Sequence, residues 1–129
     1  MHSIIAGQPL PKVSVLMPTF KHAAFIRRAL ESLRAQTFED WELVIVDDGS
    51  PDDTQRIVAP YLDDSRIQYT RLARNGGLGA ALNLATSQAR GRYLAYLPSD
   101  DVYYPEHLDQ LVAVLDSQPE VHLAYGGVR

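Results

Sequence analysis

The sequence predicts an α/β fold built on a mostly parallel sheet flanked by helices. Three observations carry that expectation. Five short apolar runs alternate with four stretches of helical periodicity, at intervals suited to right-handed βαβ units. The runs are continuous rather than alternating, the pattern of strands buried on both faces. Acidic pairs, Asp47-Asp48 and Asp100-Asp101, fall at the carboxyl ends of runs only, while the amino ends carry Lys12, Trp41, Arg66 and Arg92. Open parallel sheets bind ligands beyond their carboxyl strand ends, near the point where strand order reverses. The asymmetry therefore predicts a site as well as a fold.

Taken in order, residues 1–11 show no periodicity and read as a leader, and residues 12–129 form the domain. Val13–Met17 is a β-branched, apolar strand that Pro18-Thr19 ends. From Ala24 to Ala35, residues Phe25, Ile26, Ala29, Leu30 and Leu33 share one helical stripe. Trp41–Val46 is a second buried strand, closed by Asp47-Asp48-Gly49-Ser50. Ser50 suits an N-cap, Pro51 the first helical position and Asp53 a capping-box acid. The helix that follows is expected to bury Ile57, Val58, Tyr61 and Leu62. Ile67–Leu72 is a more polar strand, nearer the sheet edge, and Arg74-Asn75-Gly76-Gly77 is a loop. Leu78, Ala81, Leu82, Ala85 and Ala89 then share a helical face, with Asn83 turned to solvent. Tyr93–Leu97 is a strand expected to be buried on both faces. A helix starting near Pro105 turns Leu108, Leu111, Val112 and Leu115 inward, and Val121–Tyr125 is a fifth strand.

The stretch from Arg90 to Pro105 organises the rest. Its apolar run ends abruptly in Pro98-Ser99-Asp100-Asp101. Two adjacent carboxylates repel by about 4 kcal/mol when unit charges sit 4 Å apart at an effective dielectric of 20. A divalent cation held by oxygen ligands is the simplest way to offset that repulsion. A solvated turn is the competing reading, since Asp, Ser and Pro are ordinary turn formers.

Composition narrows the function. The chain has 129 residues, enough for one domain with a proper core, and a net charge of −4. An acidic balance argues against nucleic acid as a partner. Cysteine is absent, which removes disulfides, thiolate metal sites and cysteine nucleophiles. No apolar run approaches the roughly 20 residues that span a bilayer, and no signal peptide is visible, so the expectation is a cytoplasmic protein. The four histidines at 2, 22, 107 and 122 lack metal-ligand spacing and read as structural or exposed.

One sheet edge would thus present four carboxylates with Arg71 and Arg74 beside them, a mixture that suits a nucleoside diphosphate. A carboxylate can accept from a base N–H or a ribose hydroxyl, while a cation bridges the other acids to the phosphates. Gly76 and Gly77 allow close backbone approach, and N–H groups at the following helix start can add to anion binding.

The segments Val13–Phe20 (VSVLMPTF), Val44–Ser50 (VIVDDGS), Asn75–Asn83 (NGGLGAALN) and Gly91–Pro105 resemble the family 2 glycosyltransferases of the Rossmann-like GT-A fold. The matches come in family order and cover nearly all of residues 11–125. The resemblance implies an inverting sugar transferase that uses a nucleotide-diphosphate sugar and Mg²⁺ or Mn²⁺. Carried over by position, Pro18, Thr19 and Phe20 border the nucleobase, and Asp48 binds the base or ribose with Asp47 beside it. Asn75, Gly76 and Gly77 shape the loop over the nucleotide. Asp100 and Asp101 are the metal acids, and Asp100 also faces the diphosphate. The acceptor, a glycan, lipid or protein, is left open.

This sequence departs from the family pattern in several places. Pro98 occupies the first acidic position of the Asp-x-Asp-Asp motif, Lys21 stands where Asn is usual, and Leu82 where Arg is usual. The family's catalytic base lies beyond the position of Arg129, so the chain reads as a donor-binding half, cut from a longer protein or a natural short relative. An exposed strand edge or apolar face would make self-association plausible. The main rival is a non-catalytic nucleotide-binding or assembly module on the same fold. A phospho-acceptor signalling domain would need an acidic pair after strand one and a Lys after strand five. A sugar nucleotidyltransferase would need a Gly-rich, Arg-bearing loop after strand one, and an NTPase a Walker A loop. None of these features is present.

Overall fold

The computed structural model describes residues 9–118. Its elements are β1 (Val13–Thr19), α1 (Ile26–Arg34), β2 (Trp41–Asp47), α2 (Thr54–Val58), β3 (Ile67–Arg71), α3 (Leu78–Gln88), β4 (Tyr93–Tyr96) and α4 (His107–Ser117). The strands form one parallel sheet in the order β3-β2-β1-β4. The α/β expectation holds. The expected fifth strand, Val121–Tyr125, and most of the expected leader lie outside the described residues. No helix among the described residues is long and apolar enough to cross a membrane.

Period-two alternation along β1 and β2 sorts their side chains onto two apolar faces. Val13, Val15, Met17, Leu43 and Ile45 meet Ile26, Ala29, Leu30 and Leu33 of α1 and Leu108 and Val112 of α4. Leu16, Val44 and Val46 meet Ala81 and Ala85 of α3 on the other side. Every residue of β1 and β2 is buried, as continuous apolar runs require.

The outer elements correct four expectations. Tyr93–Leu97 is not buried on both faces, because α3 packs over β1 and β2 and stops short of β4. Leu94 and Tyr96 are consequently 52% and 46% exposed. Ser50 does not cap α2, which begins at Thr54. The Ser50 Oγ instead accepts the Lys21 N–H at 3.0 Å, and Asp52 Oδ1 accepts from both N and Oγ1 of Thr54. Pro60 lacks the N–H that an α-helix needs, so α2 tightens into a 3-10 helix over Ala59–Asp63 that buries Tyr61 and leaves Leu62 exposed. Leu78, the first residue of α3, overhangs the carboxyl edge of the sheet and is 61% exposed instead of facing the core.

Candidate functional site

The reversal of strand order falls at β1, with β2 on one side and β4 on the other. Backbone chemistry ends the β1–β4 pairing there before the β1–β2 pairing. Carbonyls of Lys12 and Leu16 accept from Tyr93 and Leu97 on the β4 side, whereas that of Thr19 accepts from Asp48 on the β2 side. Even-numbered residues of β1 thus pair with β4, and the next of them is Pro18, which has no N–H to give. The β1–β4 ladder ends at Leu16–Tyr96, while β1–β2 continues to Thr19–Asp47. Asp47-Asp48 and Asp100-Asp101 thus follow the two strands that neighbour β1, one on each side.

Each acid sits in a different environment. Asp47 is fully buried, with Oδ1 accepting from Ser50 N and Oδ2 from the Tyr69 hydroxyl at 2.5 Å. Burial, and then the Asp47 carboxylate, push the Tyr69 phenol well above its ordinary range. Asp48 accepts the N–H groups of Gly76 at 2.7 Å and Gly77 at 2.9 Å through separate oxygens. It thereby holds the Asn75–Gly77 loop over the end of β2. Gly77 has φ +93° and Gly49 φ +77°, both left-handed, and a Cβ on Gly49 would sit 3.1 Å from the Arg74 carbonyl carbon. Arg71 Nη2 donates to the Ser50 carbonyl, bracing the same loops, and Arg74 is exposed.

On the other side of β1, Asp100 is exposed and Asp101 half-buried in a turn closed by Asp101 N donating to the Pro98 carbonyl. Burial, then Asp100 and Asp101, push the Tyr96 phenol up, so its hydroxyl feels both acids. The segment behind them is anchored to α1. Tyr103 N donates to Ser32 Oγ, Gln36 Nε2 to the Tyr104 carbonyl, and Leu108 N to Gln36 Oε1. Tyr103 is buried, its hydroxyl on the Tyr96 carbonyl at 2.6 Å and its ring stacked on His107.

Thr19 is buried, and Phe20 is half-buried with the Lys21 ammonium 5.2 Å above its ring. Lys21 has φ +60°, the one left-handed residue other than glycine among the described residues. That geometry accounts for the usual Asn at this position, since Asn tolerates left-handed backbone better than Lys. Sequence reasoning missed Tyr69, which lies 22 residues from its acid, and the bonds that join Ser99 and His22 to Thr19, a residue it had named. No periodicity marks any of them; only adjacency to strand ends does.

Among the described residues, no three His, Cys, Asp or Glu side chains gather as a metal site. Asp100 and Asp101 alone supply hard oxygen donors, which suits a cation that completes its shell from substrate phosphates and water rather than from a protein cage.

The comparisons with known proteins agree with this architecture. The family described as Glycosyl transferase family 2 matches residues 14–127. An uncharacterized glycosyltransferase of Rickettsia prowazekii is 37% identical over 106 residues, covering 82% of this chain and 32% of that protein. S. aureus TarS 1-349, solved in complex with UDP-GlcNAc, superposes with a TM-score of 0.80 at 35% identity over 84% of this chain and 32% of its own. The mannosyltransferase PcManGT from Pyrobaculum calidifontis, in complex with GDP-Man and Mn²⁺, gives 0.76 at 26% identity, over 83% of this chain and 33% of its own. The chain spans about a third of the length of these relatives. Its parallel sheet is that of the GT-A glycosyltransferases, and the chain belongs to glycosyl transferase family 2.

Proposed function

We propose that this chain holds the nucleoside-diphosphate part of a sugar donor for an inverting, metal-assisted transfer to an acceptor hydroxyl. The observation that carries the reading is the reversal of strand order at β1, with an acid pair following the strand on each side and the β1–β4 ladder ending early. The UDP-GlcNAc and GDP-Man bound by the two structural relatives support the donor class, and the Mn²⁺ of one supports the cation.

Thr19 and Phe20 border the base, and Asp48, already ordering the Asn75–Gly77 loop, accepts from the base or ribose through its remaining lone pairs. Asp47 acts from beneath, holding Ser50 and Tyr69 so that Asp48 is presented. Asp100 and Asp101 would hold Mg²⁺ or Mn²⁺. When bound, such a cation neutralises the acids against the diphosphate and stabilises charge on the departing nucleoside diphosphate. The acceptor oxygen bonds to the anomeric carbon as the bond to the diphosphate oxygen breaks in line. Its proton goes to a base that we assign to none of the residues of this chain.

A non-catalytic nucleotide-binding module is the second reading, favoured by Pro98 in place of an acid and by a donor set of only two carboxylates. A thermal-shift screen of nucleoside diphosphates and nucleotide sugars, with and without Mn²⁺, tests the proposal. Stabilisation by one nucleotide, larger with Mn²⁺, is expected; no stabilisation by any of them refutes it. Release of free sugar from the bound donor would separate an enzyme from a binding module.

A further inference from the structure

His22 lies three residues past β1, where its carbonyl accepts the N–H groups of Phe25 and Ile26, both at 2.9 Å. The start of α1 thus fixes its backbone, and the Phe25 ring meets its imidazole edge-on at 6.0 Å. So held, His22 places Nδ1 2.6 Å from Ser99 Oγ. Ser99 Oγ in turn hydrogen-bonds Thr19 Oγ1 at 2.8 Å, with Ser99 1% and Thr19 3% exposed. A hydroxyl has one proton. Ser99 therefore donates to one of its two partners and accepts from the other, and the His22 tautomer decides which.

Ser99 immediately precedes Asp100 and Asp101. The backbone ladder between β1 and β4 has ended by Leu97, whose N–H makes its last bond to the Leu16 carbonyl. Beyond that point the side-chain bonds of Ser99 to Thr19 and His22 tie the acidic turn to the end of β1. We propose that His22 is a positioning residue: acting through Ser99, it fixes the Asp100-Asp101 turn in register with the nucleoside subsite around Thr19 and Asp48. This deepens the donor-site reading and rests on it.

The test uses the full chain with His22→Ala, His22→Asn and Ser99→Ala. Asn can place an amide N–H or an amide oxygen near the position of Nδ1, and so serve either tautomer's role, which Ala cannot. Without any ligand, amide hydrogen exchange at Asp101 should be about tenfold faster in His22→Ala and Ser99→Ala and return to the wild-type rate in His22→Asn. The amides of β1 and β2 should not change. In calorimetry with UDP and with GDP, the gain in affinity that Mn²⁺ confers should fall about tenfold in His22→Ala, recover in His22→Asn, and leave metal-free affinity intact. An unchanged Asp101 exchange rate in His22→Ala overturns the proposal, as does an acceleration spread evenly through the sheet. If the wild-type chain gains no affinity from Mn²⁺, the donor-site reading fails instead, and the exchange comparison then decides the role of His22 alone.

Discussion

The two edges of the sheet treat buried acids in opposite ways. At the amino edge, Glu42 is 2% exposed and fully answered. Ser14 Oγ donates to its Oε2 at 2.5 Å, Arg90 N to the same oxygen at 2.7 Å, and Arg90 Nε to Oε1 at 3.1 Å. Gly91 N closes the network on Ser14 Oγ. Lys12 pairs with Asp116 at the same edge, and Arg66 lies over the Trp41 ring. At the carboxyl edge, none of the ion pairs among the described residues involves Asp47, Asp48, Asp100 or Asp101. Asp47 and Asp48 receive only N–H and O–H donors, and the Asp100-Asp101 pair faces outward. A carboxylate neutralised by a guanidinium stabilises the fold. One held only by neutral donors, as Asp47 and Asp48 are, has no counter-charge beside it.

Substitutions at the two edges should therefore separate stability from binding. The largest loss of stability is expected for Glu42→Ala, about 3–5 kcal/mol, because it breaks a buried ion pair and strands Arg90 and Ser14. Urea unfolding would read it, and nucleotide affinity of the folded fraction should be unchanged. Next, Asp48→Ala frees the N–H groups of Gly76 and Gly77 and should cost about 1.5–3 kcal/mol. It should also weaken nucleoside diphosphate binding about tenfold without metal; unaltered metal-free affinity in calorimetry would contradict the placement of the base subsite.

Tyr69→Phe removes the hydroxyl from Asp47 and should cost about 1–3 kcal/mol at neutral pH. It carries a pH signature. Burial raises the Tyr69 and Tyr103 phenols above the ordinary 10.0, so the folded chain keeps protons that the unfolded chain releases. Their contribution is complete below pH 10 and is lost as pH climbs past it. Denaturant midpoints should fall through the alkaline range in the wild type and fall less steeply in Tyr69→Phe. The smallest effect on the fold belongs to Asp100→Asn, within about 0.5 kcal/mol of wild type because the side chain is exposed. Asp100→Asn should nonetheless abolish most of the Mn²⁺-dependent gain in nucleotide affinity, and retention of that gain would place the cation elsewhere.

The contrast between edges also marks what could be read from sequence. The alternation of strands and helices was legible because β1 and β2 are buried on both faces, and continuous apolar runs say so without help from the rest of the chain. The acids were legible as a group because they fall at one end of each run. Their partners were not. Asp48 reaches Gly76 across 28 residues and His22 reaches Ser99 across 77, and nothing local specifies such pairings. Ser50 looked like a cap because local rules favour it, and its hydroxyl is instead turned to the N–H of Lys21, 29 residues away in sequence. Leu78 and Leu94 matched the apolar pattern and still face outward, because burial depends on which neighbour lies opposite, not on hydrophobicity alone.

Pro18 shows how little it takes to end a strand pairing inside a sheet. Parallel strands zip together for as long as both keep supplying amide hydrogens, and an imino acid is a stop on that zipper. Here the stop sits at the end of a central strand, so β4 leaves the ladder at Tyr96 while β1 and β2 stay paired to Thr19 and Asp47. The point of departure is thus set by main-chain chemistry, and the side chains beyond it can change without refolding the scaffold beneath them.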